Sequence, residues 1–97
     1  MNTIEIKSLL KKLEEKKLNI IDIREPLEYK IGRIPTAINI DKYTLMKHPE
    51  IYLKKGQIYY IYCDSGVVSN KVVNQLNNQG YNTVNINGGY NNYLLRK

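Results

Sequence analysis

A chain of 97 residues closes one hydrophobic core and is too short for two, so a single domain over residues 1–97 is expected. Hydrophobic residues at 42% beside 25% charged exclude a disordered chain, and no apolar run reaches the roughly 20 residues of a membrane helix. The net charge of +6 comes from lysines scattered among acids, as in Lys11-Lys12-Leu13-Glu14-Glu15-Lys16-Lys17, which favours a solvated face that also draws small anions over a nucleic-acid patch. In chain order, Thr3 to Ile6 reads as a short edge strand and Ser8 to Lys17 as an amphipathic helix with Leu9, Leu10 and Leu13 on one side. Leu18 to Ile23, rich in isoleucine, reads as a parallel strand buried on both faces. Pro26 suits the first turn of a short helix that carries Leu27 and Ile31 inward and stops at Gly32.

Ala37 to Ile40 reads as a short strand entered from Pro35, and Asp41 as the N-cap of a helix over Lys42 to Lys47, interrupted by His48-Pro49-Glu50. Lys55-Gly56 is a turn before Tyr59-Tyr60-Ile61-Tyr62, whose aromatic and β-branched residues suit a buried central strand. A helix from about Ser69 presents Val72, Val73 and Leu76, Gly80 caps it, Tyr81 to Ile86 is the last strand and Tyr90 to Leu95 a closing helix. This alternation predicts an α/β domain with a parallel sheet of about five strands and helices on both faces. Ligands gather at the carboxyl ends of such strands, where Cys63, Asp22-Ile23-Arg24-Glu25 and Asn87-Gly88-Gly89 all fall.

Cys63, the only cysteine, ends the central strand and opens a tight turn, Asp64-Ser65-Gly66-Val67-Val68, before Ser69. Backbone N–H groups in such a turn curl round one point, and the following helix N-terminus adds partial positive charge, so an anion or thiolate at Cys63 is stabilised. A single cysteine makes no internal disulfide and no thiolate metal cage, and points to a free thiol in a reducing compartment. With no apolar leader in the first residues, a cytoplasmic monomer is expected. His48 lacks partners at metal or triad spacing and Gly88-Gly89 is too short for a dinucleotide fingerprint, so neither metal nor cofactor is expected. By itself Cys63 reads more readily as a small apolar residue closing a strand than as a nucleophile.

Three segments carry a resemblance. Cys63, Gly66 and Ser69 match the loop C-x-x-G-x-R-S, with Val68 at the arginine. Ile20 to Tyr29 is similar to a strand followed by D-x-R-E-x-x-E-[FY], and Gly32 to Asn39 to G-H-I-P-G-A-x-N, with Gly88-Gly89 to Tyr93 near G-G-x-x-x-W. In order and spacing these residues resemble the rhodanese family from about Leu18 onward. The resemblance implies a rhodanese-like sulfurtransferase in which the Cys63 thiolate takes the outer sulfur of thiosulfate or a protein persulfide, holds it as a persulfide, and passes it to a thiol or cyanide. Asp64, Ser65, Gly66, Val67, Val68 and Ser69 would form the substrate loop, their N–H groups the cradle and the Ser69 hydroxyl an added donor.

Val68 removes the guanidinium that would bind an oxyanion bidentately, and Asp64 sets a negative charge beside the nucleophile that repels sulfonate groups. This favours a persulfide-bearing protein over a small sulfur-containing anion as donor. The alternative is a catalytically weak or inactive module that keeps the sheet for protein interaction. Arg24 and Glu25 either line the pocket rim or form an ion pair that fixes the turn after the second strand, and Asp22 reads as a local hydrogen-bond anchor. Arg33 stands where the family has histidine and reads as exposed.

Overall fold

The computed structural model describes residues 2–96. Chain order is β1 (Thr3–Ile4), α1 (Ile6–Glu15), β2 (Asn19–Asp22), α2 (Pro26–Ile31), β3 (Ile38–Asn39), α3 (Lys42–Lys47), α4 (Pro49–Tyr52), β4 (Ile58–Tyr62), α5 (Val67–Asn78), β5 (Asn82–Ile86) and α6 (Gly89–Arg96). The strands form one five-stranded sheet in the order β1-β5-β4-β2-β3, and every pairing is parallel. β4 is therefore central, with Tyr59 to Tyr62 opposite Asn19 to Asp22 on one side and Ile58 to Ile61 opposite Asn82 to Asn85 on the other.

Helices cover both faces. On one, Val72, Val73 and Leu76 of α5 pack with Leu45 of α3 against Ile21, Tyr59 and Ile61. On the other, Ile6 and Leu9 of α1, flanked by Leu10 and Leu13, pack with Ile20, Tyr60, Tyr62 and Ile86. The i, i+3, i+4, i+7 spacing of Ile6, Leu9, Leu10 and Leu13 thus meets the sheet as its pattern requires. Asp41 caps α3 as expected, its carboxylate accepting from the N–H groups of Tyr43 and Thr44 and from the Thr44 hydroxyl. These hydrogen bonds, that of the Thr44 side chain foremost, hold its carboxyl below the usual range.

Three expectations change. β1 is shorter than Thr3 to Ile6 because Ile6 already begins α1 and is buried there. The inward course of Leu27 and Ile31 is wrong: they are 67% and 81% exposed, because α2 has no buried residue and leans on the body through Tyr29, whose hydroxyl donates to Ala37 O at 2.6 Å. α5 begins at Val67 rather than near Ser69, since Gly66 takes φ +91° and turns the chain into the helix two residues sooner.

Thr36 holds φ +69° at the position where the G-H-I-P-G-A-x-N pattern carries its second glycine. A β-branched residue in that region is strained by its own Cβ substituents. Thr36→Gly is expected to raise stability by about 1 kcal/mol, and the melting temperature by a few degrees, because relief of strain exceeds the entropy that glycine adds to the unfolded chain. A melting temperature that falls would contradict this.

Candidate functional site

Cys63 follows directly on β4, so the central strand fixes its position, and its side chain is buried but for one opening. Sγ accepts the N–H of Gly66 at 3.2 Å and of Ser69 at 3.3 Å. Both belong to the first turn of α5 and its cap, where the helix dipole also favours negative charge. Two of the loop's N–H groups, those of Gly66 and Ser69, thus meet the sulfur.

Ser69 acts differently from expectation. Its hydroxyl donates to Asn85 Oδ1 at 2.5 Å and accepts from the thiol across 3.3 Å. The hydroxyl proton is thus committed to Asn85, and a charged sulfur rests on the backbone donors. Asn85, on β5 and buried, also donates through Nδ2 to Gly66 O at 3.2 Å. It ties the neighbouring strand to both ends of the turn. Nothing local in Asn82 to Ile86 marks this residue, because its partners lie 16 and 19 positions away.

The rest of the turn is held from the opposite side. Tyr90 N–H donates to Cys63 O at 2.9 Å and Asn91 N–H to Asp64 O at 3.0 Å, so the start of α6 clasps the loop. Gly66 and Gly89 permit this closeness. A Cβ on Gly66 would stand 2.9 Å from Gly88 N, and one on Gly89 would collide with the carbonyl oxygens of Cys63 and Asp64.

Behind the thiol lies a buried polar network. Arg24 spans both carboxylate oxygens of Asp22, with Nη2 to Oδ2 at 2.8 Å, and donates to Gly32 O at 2.6 Å. Tyr62 donates to Asp22 Oδ2 at 2.7 Å and accepts the N–H of Ile34 at 3.1 Å. The Arg24 guanidinium lies 4.1 Å from the centre of the Tyr90 ring. Burial works against its charge, yet the hydrogen bonds and charge of Asp22, with Tyr62 and Asp64 adding, hold its pKa above the ordinary value. Burial and the Asp22 bond push the Tyr62 phenol far above its ordinary range.

A cavity of about 520 Å³ opens over Cys63, and Arg24, Glu25, Asp64 and Val68 all line it. Arg24 and Glu25 thus share the rim, but the ion pair that fixes the turn joins Arg24 to Asp22 and leaves Glu25 exposed. Asp64 is exposed too, its carboxylate 3.8 Å from Arg24 Nη1. Ser65 and Val67 face outward, and Val68, 41% exposed, presents hydrocarbon to the cavity. Among the described residues no cluster of His, Cys, Asp and Glu has metal-binding geometry, and no helix is long and apolar enough to cross a membrane. His48 is exposed beside Glu50, and Arg33 is exposed and stacked on Tyr29. Chemically, the arrangement offers one thiol, two aimed N–H donors and an open approach.

A family model described as Rhodanese-like domain matches residues 5–96. Among curated proteins, "Putative sulfurtransferase YtwF" of Bacillus subtilis (strain 168) is 37% identical over 83 residues, covering 84% of this chain and 80% of that protein. Among solved structures, a rhodanese-like domain protein from Staphylococcus aureus superposes with a TM-score of 0.87 at 36% identity, covering 96% of this chain and 91% of that one. SSP1007 from Staphylococcus saprophyticus gives a TM-score of 0.89 at 32% identity, covering 96% and 93%.

Proposed function

The chain belongs to the rhodanese-like domain family, and on that premise we propose that it is a sulfurtransferase that carries sulfur as a persulfide on Cys63. The observation that supports this most is the pair of N–H groups, from Gly66 and Ser69, directed at Sγ under an open cavity. The Cys63 thiolate attacks the outer sulfur of the donor, a new S–S bond forms, and the donor's own bond to that sulfur breaks. Thiosulfate leaves as sulfite with the bonding electron pair; a protein persulfide leaves as a thiolate. Attack by a thiol or cyanide on the outer sulfur then releases Cys63 as thiolate. In both persulfide and thiolate the two N–H donors stabilise negative charge near Sγ.

The protein incubated with thiosulfate, and separately with a cysteine-desulfurase persulfide source, should gain one sulfur atom by mass spectrometry, removable by reductant. No gain from either donor would leave the alternative of an inactive module for protein interaction. Val68 makes thiosulfate the poorer donor, since hydrocarbon stands where an oxyanion needs a cation. A charge-assisted hydrogen bond contributes about 1.5–3 kcal/mol, so Val68→Arg is expected to raise kcat/KM for thiosulfate by roughly tenfold to a hundredfold. Transfer from a persulfide donor without a sulfonate should change much less. Equal gains with both donors would mean that arginine acts on the thiolate and not on the donor.

A further inference from the structure

Past Val68 the cavity over Cys63 continues into a larger one, of about 620 Å³, between α3 and α5. Lys42, Tyr43 and Val68 line both, so the two form one groove. Charge divides along it. Around Cys63 the walls carry Glu25, Glu28, Asp41 and Asp64 against Lys42 and Arg24, and Arg24 is already paired with Asp22. The α3–α5 part carries Lys42, Lys47 and Lys71 with no carboxylate in its lining. Lys47 and Lys71 make no ion pair among the described residues. Met46 and Tyr43 share that lining, the latter 75% exposed with the Lys42 ammonium 4.7 Å from its ring centre, an apolar strip beside the two lysines that make no ion pair among the described residues.

A small dianion is poorly matched to this groove, because the lysines would hold it on the far side of Val68 while the carboxylates near Cys63 repel it. A polypeptide separates the two demands. Its carboxylates can lie over the lysines and an apolar side chain on Tyr43 and Met46, while an uncharged, sulfur-bearing tip reaches past Val68 to the thiol. Lysine ammonium groups on flexible stems suit carboxylates presented at varied angles, where a phosphate fork would call for arginine. A nucleic-acid backbone needs a longer basic track than one whose next segment is acidic.

We infer that the α3–α5 groove is the docking surface for an acidic segment of the protein that exchanges sulfur with Cys63, an inference that rests on the sulfur-carrying role proposed above. The unlike charges draw the two proteins together and set the direction in which the cysteine enters.

The test uses a fluorescent peptide with several glutamates, one leucine and serine in place of cysteine, and a second peptide with glutamines for the glutamates. The glutamate peptide is expected to bind more tightly, to weaken as salt is raised, and to shift backbone amide resonances of Lys42 to Lys47 and of Lys71 to Gln75. Lys47→Glu with Lys71→Glu should weaken it by about tenfold, and the milder Lys47→Gln with Lys71→Gln by less, while alkylation of Cys63 by neutral iodoacetamide keeps its rate. A cysteine-persulfide version of the peptide should load Cys63 more slowly in the reversed variant by a similar factor. Equal affinity for the two peptides, resonance shifts elsewhere, or an oligonucleotide that binds the same residues as tightly would overturn the inference. The serine peptide needs no sulfur chemistry, so binding without loading would retain the groove but remove its role in sulfur exchange.

Discussion

Cys63→Ser is expected to abolish sulfur uptake from thiosulfate and from persulfide donors alike, while costing the fold only about 1 kcal/mol. The serine oxygen can accept the same two N–H groups that now meet Sγ at 3.2 and 3.3 Å, so the turn keeps its shape. What is lost is the nucleophile. A hydroxyl stays protonated at neutral pH and does not displace sulfite or a thiolate from sulfur, and no other cysteine can take its place. Mass spectrometry after donor treatment, with a thermal melt of the same sample, separates the two effects. A sulfur adduct on the folded serine variant would refute the assignment of Cys63.

The second large effect is on stability. Asp22→Asn is expected to cost about 3–5 kcal/mol, because it leaves the buried Arg24 charge facing an amide in place of a carboxylate. Asp22 is fully buried and Arg24 6% exposed, so water cannot supply the missing partner. The amide also presents N–H groups toward a site crowded with donors: Arg24 Nε and Nη2, the Arg24 N–H and the Tyr62 hydroxyl. For a domain of this size that is a large share of the whole. Denaturant unfolding of Asp22→Asn, Arg24→Met and the double variant should show the double less destabilised than the sum of the singles. Additive losses would mean that the pair contributes independently, against the geometry.

The fold is legible because strands and helices alternate with different periods: isoleucine-rich Leu18 to Ile23 suits a doubly covered strand, and Val72, Val73 and Leu76 a helix face. The place of Cys63 followed from the same pattern. Leu27 and Ile31 misled because a helix of six residues is too short for its periodicity to choose a face, and the anchoring contact comes from Tyr29. Sequence sets Arg24 beside its neighbour Glu25, whereas its partner in the fold is Asp22, two residues back and on the buried side of the strand end. Asn85, Tyr62 and the lysines of α3 and α5 act through contacts that only closure of the sheet creates. No local spacing encodes them.

The way the sheet closes also sets an order of assembly on the ribosome. β1 emerges first yet pairs with β5, Thr3 opposite Asn85, so the first strand waits for the last before it has a neighbour. The cysteine turn waits longer, since the N–H groups that clasp its carbonyls belong to Tyr90 and Asn91. Until those residues leave the exit tunnel, the thiol rides on a nascent chain in which β2, β3 and β4 can pair but the turn is not yet clasped, and joining such distant segments is the slow part of folding. A chain released before Gly89 would carry the strands of the sheet and the nucleophile without a finished site.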